Sequence, residues 1–425
     1  MLFFRKTILL TFPFFLFTIS ISAQEIKKGE VYSYARKIVD TMTSESMHGR
    51  GYVNGGDSIA ANYLKTEFKK FGLKSFTDES YYQKMSFAVN VFDQASLKID
   101  GKLLVPGKDF IPFHLDPSAS GKYPVVIADD NLVSKKKKLK KFRKQDFDNK
   151  ILLINDEGEK TPELQSLPWK SKAIITIKDK LTWSVGQKQQ DVVLFEVLRS
   201  SYIGAKEIEY SVVSHINKNH ASQNVIGYIK GSVHPDSFIV YTAHYDHLGQ
   251  MGKDVYFPGA NDNASGCAML LNLAKYYSQP ENKPKYSIVF MAFCGEEVGL
   301  LGSKYYNEHP LFPMKNIRFL LNMDIMGTGE DGITVVNGSV FKTEFDKLKE
   351  INTKNNFIKD VKIRGKAANS DHYFFAENGV KACFIYTMGG IKAYHDIYDR
   401  GETLPLNEFE NLFKLITTFG EYLQE

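Results

Sequence analysis

The sequence predicts an α/β fold: a mixed, mainly parallel sheet covered by helices on both faces, with an inserted, mostly β domain. Three observations lead to this class. After residue 224, continuous apolar runs alternate with amphipathic helical segments, as they do when strands are buried on both faces of a sheet. Short strand-like pieces separated by turns occupy residues 91–214. The 425 residues, 43% of them hydrophobic, are sufficient to bury a large core.

The first residues, MLFFRKTILLTFPFFLFTISISAQ, have the layout of a secretory signal peptide. Arg5 and Lys6 precede an apolar stretch that ends in small residues around Ala23. A membrane anchor is the alternative, but Pro13 and several Ser and Thr residues make the stretch marginal for a span of about 20 apolar residues. We therefore expect residues 1–23 to be cleaved, export to the periplasm or the extracellular space, and no stable membrane anchor afterwards.

The remaining elements follow from their patterns. Two helices are expected first, since apolar residues recur at helical spacing in VYSYARKIVD and AANYLKTEF. Strands of the middle segment are ASLKID, YPVVIADD, KILLIND, KAIITIK and IEYSVVS. Later strands are NVIGYIKG, SFIVYTAH, YSIVFMAFC, IRFLLNMD and KACFIYTM, with the helices SGCAMLLNLAKYYSQ, FKTEFDKLKEINTKN and EFENLFKLITTFGEYLQ. We therefore expect a discontinuous domain, residues 24–90 and 215–425, interrupted by an inserted domain, residues 91–214.

The positive charge of the chain is concentrated in one run. The net charge is +5, but SKKKKLKKFRK places eight basic residues between Lys135 and Lys144. Without these eight, 46 Lys and Arg remain against 49 Asp and Glu. A run of this kind predicts a solvated helix or loop face, with a nucleic-acid or anionic-surface site as the alternative. No nucleic-acid partner is expected.

The chain contains three cysteines, Cys267, Cys294 and Cys383. A sparse, odd set in apolar surroundings is typical of small buried residues. The sequence therefore predicts neither a disulfide framework nor a cysteine metal site.

Polar side chains with metal-binding chemistry stand at or just after the predicted strand ends. In open α/β sheets, ligands bind in the crevice at the carboxyl ends of the strands, so residues that are distant in sequence can meet there. Histidine nitrogens and carboxylate oxygens without thiolates suit Zn²⁺, and this many carboxylates could hold two ions. The residues concerned are His244, Asp246, Asp262, Glu296, Glu297, Asp324, Tyr394 and His395.

Five segments in this order, TAHYDHLG, PGANDNASG, FCGEEVGLLGS, NMDIMG and AYHDIYD, resemble the motifs of the co-catalytic zinc aminopeptidases. That peptidase family also includes glutamate carboxypeptidase, glutaminyl cyclase and the transferrin receptor. SMHGRG and the following AANYLKTEF resemble the family's opening segment. The inserted domain resembles in position the protease-associated domain that some members carry. The resemblance covers nearly all of the mature chain outside the insert.

The resemblance implies a metal centre with two Zn²⁺ per chain. On matching positions, His244 and Asp324 hold one zinc ion, and Glu297 and His395 hold the other. Asp262 bridges the two ions. A bridging carboxylate of this kind can hold two cations about 3.5 to 4 Å apart, where they acidify a shared water.

The resemblance also implies the residues that carry out the chemistry. Glu296 matches the general base, which requires that its carboxylate is not a metal ligand. Asp246 matches the residue that orients His244, and Tyr394 matches a tyrosine that polarises the scissile carbonyl in some members. His247 is interpreted as a structural loop residue.

Some positions near the site depart from the family pattern or leave two interpretations open. Asn369 precedes SDHYFFAENG, a segment that resembles one lining the site, and stands where some aminopeptidases carry Arg. His372 could contact substrate or support the loop. Asp396 stands where Thr or Ser is commoner, yet Asp399 keeps the four-residue offset from His395. The metal ligands are therefore expected to match the family, while the rim of the site differs.

The sequence therefore predicts an exported di-zinc exopeptidase that removes N-terminal residues from peptides. A carboxypeptidase or dipeptidase of the same family is the main alternative, and it would need a basic cluster for the terminal carboxylate of the substrate. A glutaminyl cyclase and a non-catalytic binding protein on the same fold are further alternatives. The preferred residue and the oligomeric state do not follow from the sequence.

Overall fold

The structure is a computed structural model that describes residues 29–76, 80–129, 132, 135–155, 169–253 and 255–425. The predicted signal peptide, residues 1–23, lies outside the described residues. The helices that are described are α1 (Glu30–Met42), α2 (Gly56–Lys70), α3 (Lys136–Phe142), α4 (Ser265–Tyr277), α5 (Leu301–Glu308), α6 (Lys342–Asn355), α7 (His372–Glu377) and α8 (Phe409–Leu423). Over these residues, no helix has the length and apolar character that a membrane span requires.

The strands of the described chain are β1 (Tyr82–Ile99), β2 (Lys102–Leu103), β3 (Phe110–Pro112), β4 (Ala119–Asp129), β5 (Ile151–Asn155), β6 (Ala173–Lys178), β7 (Val193–Leu198), β8 (Glu207–Ile229), β9 (His234–His244), β10 (Gln250–Met251), β11 (Val255–Tyr256), β12 (Tyr286–Phe293), β13 (Ile317–Met323), β14 (Ile333–Val336), β15 (Val361–Ile363) and β16 (Ala382–Thr387).

The main domain, which combines the segments before and after the insert, is built on a mixed sheet. Its strands stand in the order β15, β14, β16, β13, β9, β12 and β8. The four central strands β16, β13, β9 and β12 are parallel. β14 and β8 are antiparallel to their neighbours β16 and β12. The prediction of a mixed, mainly parallel sheet is therefore confirmed.

The apolar runs of the central strands are buried on both faces of this sheet. In β12, Phe290 belongs to one hydrophobic core and Met291 to the core on the opposite face. Helices α1, α2, α4, α6 and α8 supply side chains to the first core. Helices α5 and α7 contribute Tyr306 and Phe375 to the second. This burial explains why the strands lack the alternation of a half-exposed sheet.

A long two-stranded ribbon connects the main domain to the insert. β1 and β8 pair in antiparallel register along the length of β1, ending with Ile99 opposite Ile208. β8 also pairs with β12 at one end and with β4 at the other. The predicted separation of IEYSVVS from NVIGYIKG is wrong, because the polar residues between them pair with β1 instead of turning. The predicted boundaries of the inserted domain cross this ribbon where Val91 pairs with His215. The division of the chain into these two domains stays a prediction.

The inserted domain is mostly β and has a core on each face of its sheet. β4, β5, β6 and β7 are parallel, and β3 is antiparallel to β7. On one face, Phe142 of α3 packs with Trp169. On the other face, the core includes Val255 and Phe257, which belong to the main domain. The insert therefore packs directly on the segment that follows β9.

The lysine run forms helix α3 and the residues beside it. Phe142 faces the core of the insert, and Leu139 is partly buried against the same core. The basic side chains that are described in this run are exposed. This arrangement is that of an amphipathic helix with a solvated basic face.

Candidate active site

The predicted site residues lie at the carboxyl ends of the central strands. His244 is the last residue of β9, and Asp324 directly follows β13. Glu296 and Glu297 follow β12 after a short turn, and His395 belongs to the loop after β16. Because neighbouring parallel strands end at the same edge of the sheet, these residues meet although they are far apart in sequence.

Asp262 stands between the two histidines of the site. Its Oδ1 lies 3.3 Å from Nε2 of His244, and its Oδ2 lies 3.1 Å from Nε2 of His395. Oδ1 of Asp324 is 3.4 Å from Nε2 of His244. Oε2 of Glu297 is 3.1 Å from Nε2 of His395. The five predicted ligands therefore form two groups that share Asp262.

The donor atoms of these groups fit a divalent metal. Nε2 of His244 and Oδ1 of Asp324 are buried, and neither makes a hydrogen bond of good geometry within the described chain. Buried polar atoms without a partner call for an explanation, and a bound ion is one. Ligand atoms of His244, Asp262 and Glu297 all lie within 4.8 Å of one another. Nitrogen and oxygen donors at this spacing suit Zn²⁺.

Opposite charges determine the pKa values in the group around His395. Burial alone would lower the pKa of His395, but the carboxylates of Glu297 and Asp262 raise it to about 11. Burial would raise the pKa of Glu297, but His395 and His247 hold it at about 2. In the metal-free protein, His395 is therefore protonated at neutral pH, and a metal ion has to displace this proton.

Glu296 has a different environment from its neighbour Glu297. Burial raises the pKa of Glu296 well above its usual range, and the nearby charges of Glu297 and Asp371 raise it further. One oxygen of Glu296 and the ligand atoms of His244 and Asp324 lie within 4.8 Å of one another. A buried carboxylate with a raised pKa has the character of a proton acceptor that works near neutral pH.

Asp246 holds the turn that carries the two glutamates. Its Oδ1 and Oδ2 accept hydrogen bonds from the backbone N–H groups of Glu296 at 3.3 Å and Glu297 at 3.2 Å. The hydroxyl of Tyr52 also donates to this carboxylate. Nδ1 of His244 is 3.7 Å from Oδ1 of Asp246 but 3.2 Å from its backbone oxygen. The carbonyl group is thus the nearer acceptor for the His244 ring, and the orienting role of the carboxylate stays a prediction.

Two further residues fix metal-ligand candidates through hydrogen bonds. Nδ1 of His247 donates to Oε1 of Glu297 at 2.7 Å. The carboxylate of Asp399 accepts from the backbone N–H of Asn261 at 2.9 Å and of Asp262 at 3.0 Å. From the sequence, His247 is expected to be a structural loop residue, and no role is predicted for Asp399. Their positions in HYDH and HDIYD were visible, but no spacing rule indicates which side chain they contact.

Arg50 of SMHGRG lies fully buried behind the site. Its guanidinium donates to the backbone oxygens of Met42 at 2.8 Å, Tyr245 at 2.8 Å, Pro258 at 2.6 Å and Gly259 at 2.7 Å. These carbonyl groups belong to the end of α1, the segment after His244 and the turn before Asp262. One side chain therefore joins three segments around the candidate ligands.

A cavity of about 240 Å³ opens beside the carboxylates. Ile325, Phe384 and Tyr386 form its apolar side, and Asn369 also lines it. The ring of the buried His372 lies behind Phe384, with ring centres 5.4 Å apart. His372 thus packs against a residue that lines the cavity, and its two interpretations, contact with substrate and support of the loop, stay open.

Tyr394 lies at the rim of this cavity. Its side chain is 44% exposed, and its ring stacks on the ring of His395 with centres 4.0 Å apart. Burial and the surrounding carboxylates raise the pKa of its hydroxyl group, which is therefore protonated at neutral pH. A neutral hydroxyl group can donate a hydrogen bond to a bound substrate.

The fold and the arrangement around Asp262 define a domain of the zinc peptidase class. Residues 224–420 match the model of peptidase family M28. Over this segment, which carries the five motifs, the chain is similar to peptidase family M28. The family predicted from the five motifs is therefore confirmed.

Curated relatives match part of the chain. A probable zinc metalloprotease of Pyrenophora teres f. teres is 39% identical over 114 residues, which are 26% of this chain and 24% of that protein. Aminopeptidase YwaD of Bacillus subtilis is 43% identical over 115 residues, which are 26% of this chain and 23% of that protein. Each of these matches thus spans about a quarter of the relative's length.

Solved structures extend the likeness in fold to most of the chain. A zinc aminopeptidase from Bacillus subtilis has a TM-score of 0.68 at 20% identity, covering 91% of this chain and 93% of that chain. A peptidase M28 precursor from Shewanella amazonensis has a TM-score of 0.68 at 16% identity, covering 92% of each chain. The mixed α/β architecture is therefore shared with known members of the family.

Proposed function

We propose that this protein is a di-zinc exopeptidase that removes N-terminal residues from peptides. The observation that carries the proposal is the position of Asp262, which offers one carboxylate oxygen to the group of His244 and the other to the group of His395. Asp324 completes the first metal position and Glu297 the second. Zinc bound there would acidify a water molecule and stabilise the negative charge that develops on the attacked carbonyl oxygen.

The residues of this chain divide the remaining work. Glu296 accepts the proton of the attacking water at its carboxylate and passes it to the leaving amine. The Tyr394 hydroxyl group at the rim donates a hydrogen bond to the scissile carbonyl oxygen. Asp246 holds the backbone of both glutamates, so Glu296 stays in the cavity while Glu297 faces His395.

The charges around the cavity favour a substrate with a free amine. Four carboxylates line it, those of Asp262, Glu296, Glu297 and Asp324, and none of the described lining residues is Lys or Arg. Arg364 contacts the Tyr386 hydroxyl at 3.4 Å from outside this lining. With zinc bound, the ligand carboxylates would be neutralised and the free carboxylate of Glu296 would attract a terminal ammonium group, whereas a terminal carboxylate needs a basic side chain that the described lining lacks.

We expect the purified protein to hydrolyse aminoacyl anilides and to leave the same compounds uncleaved after N-acetylation. Acetylation removes the positive charge that the free carboxylate of Glu296 attracts. Release of the aniline chromophore measures this reaction, and a chelator should stop it until Zn²⁺ is added back.

A panel of other substrates distinguishes the alternatives. Release of C-terminal residues from N-blocked peptides would show a carboxypeptidase, and cleavage restricted to dipeptides would show a dipeptidase. Ring closure of N-terminal Gln peptides would show a glutaminyl cyclase. Absence of zinc together with absence of hydrolysis would favour a binding protein on the same fold.

Replacing Glu297 by glutamine is expected to lower the zinc content from two ions per chain to one. The glutamine side chain lacks the negative charge that Glu297 presents to the rings of His395 and His247. Metal analysis after dialysis against buffered zinc measures the loss. Two retained ions would contradict the assignment of Glu297 as a ligand.

The proposal includes export of the mature protein to the periplasm or the extracellular space. It is supported by the charged, apolar and small-residue order of residues 1–23. The inserted domain is proposed to be of the protease-associated type.

A further inference from the structure

A short segment of the inserted domain reaches into the candidate active site. We call residues 180–187 the clasp segment; it follows β6 and precedes β7. The segment contacts the loop that carries His395 and the turn that carries Glu297. Within the described residues, it makes no hydrogen bond to the loops that carry His244 and Asp324, and its contact with the first of these loops is apolar, since Trp183 and Leu248 belong to the same hydrophobic core.

Lys180 holds the His395 loop on both sides of the histidine. Its Nζ donates to the backbone oxygens of Lys392 at 2.9 Å and Tyr394 at 3.3 Å. The same Nζ forms an ion pair with Oδ2 of Asp396 at 3.3 Å. One ammonium group thus connects residues before and after His395.

Trp183 fixes His395 itself through two backbone groups. The Trp183 N–H donates to the His395 carbonyl oxygen at 2.9 Å. Nδ1 of His395 donates to the Trp183 carbonyl oxygen at 3.0 Å. A carbonyl group can only accept, so this contact determines the tautomer and leaves Nε2 free to face Glu297 and Asp262.

The backbone of His395 requires such support. Its φ angle is 53°, in the left-handed region that residues other than glycine seldom adopt. A conformation of this kind persists when the surrounding structure holds it in place. The Trp183 indole provides a rigid base, since it stacks on Phe257 with ring centres 4.8 Å apart and donates to the Pro112 carbonyl oxygen at 3.1 Å.

The other end of the clasp segment contacts the glutamate turn. Nε2 of Gln187 donates to the backbone oxygen of Val298 at 2.7 Å, directly after Glu297. Val185 packs against the cores of both domains. The segment therefore contacts the neighbourhoods of two candidate ligands that belong to the same metal position.

We propose that the inserted domain is a structural part of one metal position: its clasp segment positions His395 and the Glu297 turn, whereas the position of His244 and Asp324 is independent of it. The inference rests on the proposed di-zinc function. Lys180, Trp183 and Gln187 are positioning residues, because they act on the metal through other groups. Residues that orient metal ligands typically change metal affinity by about 10- to 100-fold when they are replaced.

The test measures zinc affinity in two backgrounds that each retain one metal position. Asp324→Asn retains the position of Glu297 and His395, and Glu297→Gln retains the other. Each background receives the pair Lys180→Met and Gln187→Ala, and zinc per chain is measured in buffers of fixed free zinc. The matched control is Lys188→Met, because Lys188 is exposed, adjoins the clasp segment and has no hydrogen bond or ion pair within the described chain.

In the Asp324→Asn background, we expect the clasp pair to weaken zinc binding by about 10- to 100-fold. In the Glu297→Gln background, the same pair should leave the affinity unchanged. Lys180→Arg, which keeps the donors, should restore most of the affinity when it replaces Lys180→Met. Lys188→Met should have no effect in either background.

Other results would overturn the inference. Unchanged affinity in the Asp324→Asn background, or equal weakening in both, would show that the clasp segment does not select one position. If the unsubstituted protein holds two zinc ions and the clasp variants bind zinc as tightly as the Lys188→Met control, this inference alone is overturned. An unsubstituted protein that binds no zinc would overturn the proposed function and the inference with it.

Discussion

Replacement of Glu296 by glutamine is expected to lower kcat by about 10²- to 10⁴-fold while both zinc ions are retained. The amide has nearly the shape of the carboxylate but cannot accept the proton of the attacking water. Glu296 belongs to the cavity lining, and its pKa is raised by burial, as a proton acceptor near neutral pH requires. The measurements are kcat on the best aminoacyl anilide and zinc per chain.

The neighbouring Glu297→Gln variant is the matched control for this result. It makes the same chemical change one residue away, but it should remove a metal ion, because Glu297 faces His395 and Glu296 does not. Equal zinc loss in the two variants would contradict the division of roles. Full activity of the Glu296→Gln variant would identify the general base with another group.

Replacement of Arg50 by methionine is expected to lower the free energy of unfolding by about 3 to 5 kcal/mol. The apolar side chain has a similar reach but donates no hydrogen bond, so the buried carbonyl oxygens of Met42, Tyr245, Pro258 and Gly259 lose this donor. Each buried group left without a partner costs about 1 to 3 kcal/mol. Urea unfolding of the zinc-free protein measures the change without the contribution of the metal.

The same substitution at an exposed arginine provides the control. Arg318 is exposed, and its guanidinium lies 4.2 Å from the centre of the Tyr286 ring. Arg318→Met should cost about 1 kcal/mol or less, since exposed contacts of this kind contribute little. A change below about 1 kcal/mol for Arg50→Met would show that the carbonyl groups find other partners.

The backbone next to Arg50 passes close to the segment that follows His244. Gly49 has a φ angle of 61°, and a Cβ atom placed on it would lie 2.4 Å from the Gly249 carbonyl oxygen. Glycine is therefore required both by the backbone conformation and by the close approach of the two segments. In the sequence, SMHGRG resembles the family's opening segment, but only the structure shows which segments its residues contact.

The strand ends show how much of the site the sequence could predict. YSIVFMAFC and SFIVYTAH are apolar throughout, which indicates burial on both faces, and polar residues follow them at the edge where parallel strands end together. This was sufficient to predict that His244, Glu297 and His395 converge. The same apolar pattern was insufficient to predict β8 as one strand. Its middle residues are polar and have the composition of a turn, although they pair with β1 in the ribbon.

The sequence by itself determined the fold class, the family and the set of candidate ligands, since apolar periodicity and the order of short motifs are local properties of the chain. The tertiary structure decided which groups orient those ligands. His395 meets Trp183 across 212 positions, and Arg50 meets the Pro258 carbonyl group across 208. Many of these contacts involve backbone carbonyl groups, which every residue has. No pattern of side chains marks them, so only the folded chain shows which carbonyl group faces which donor.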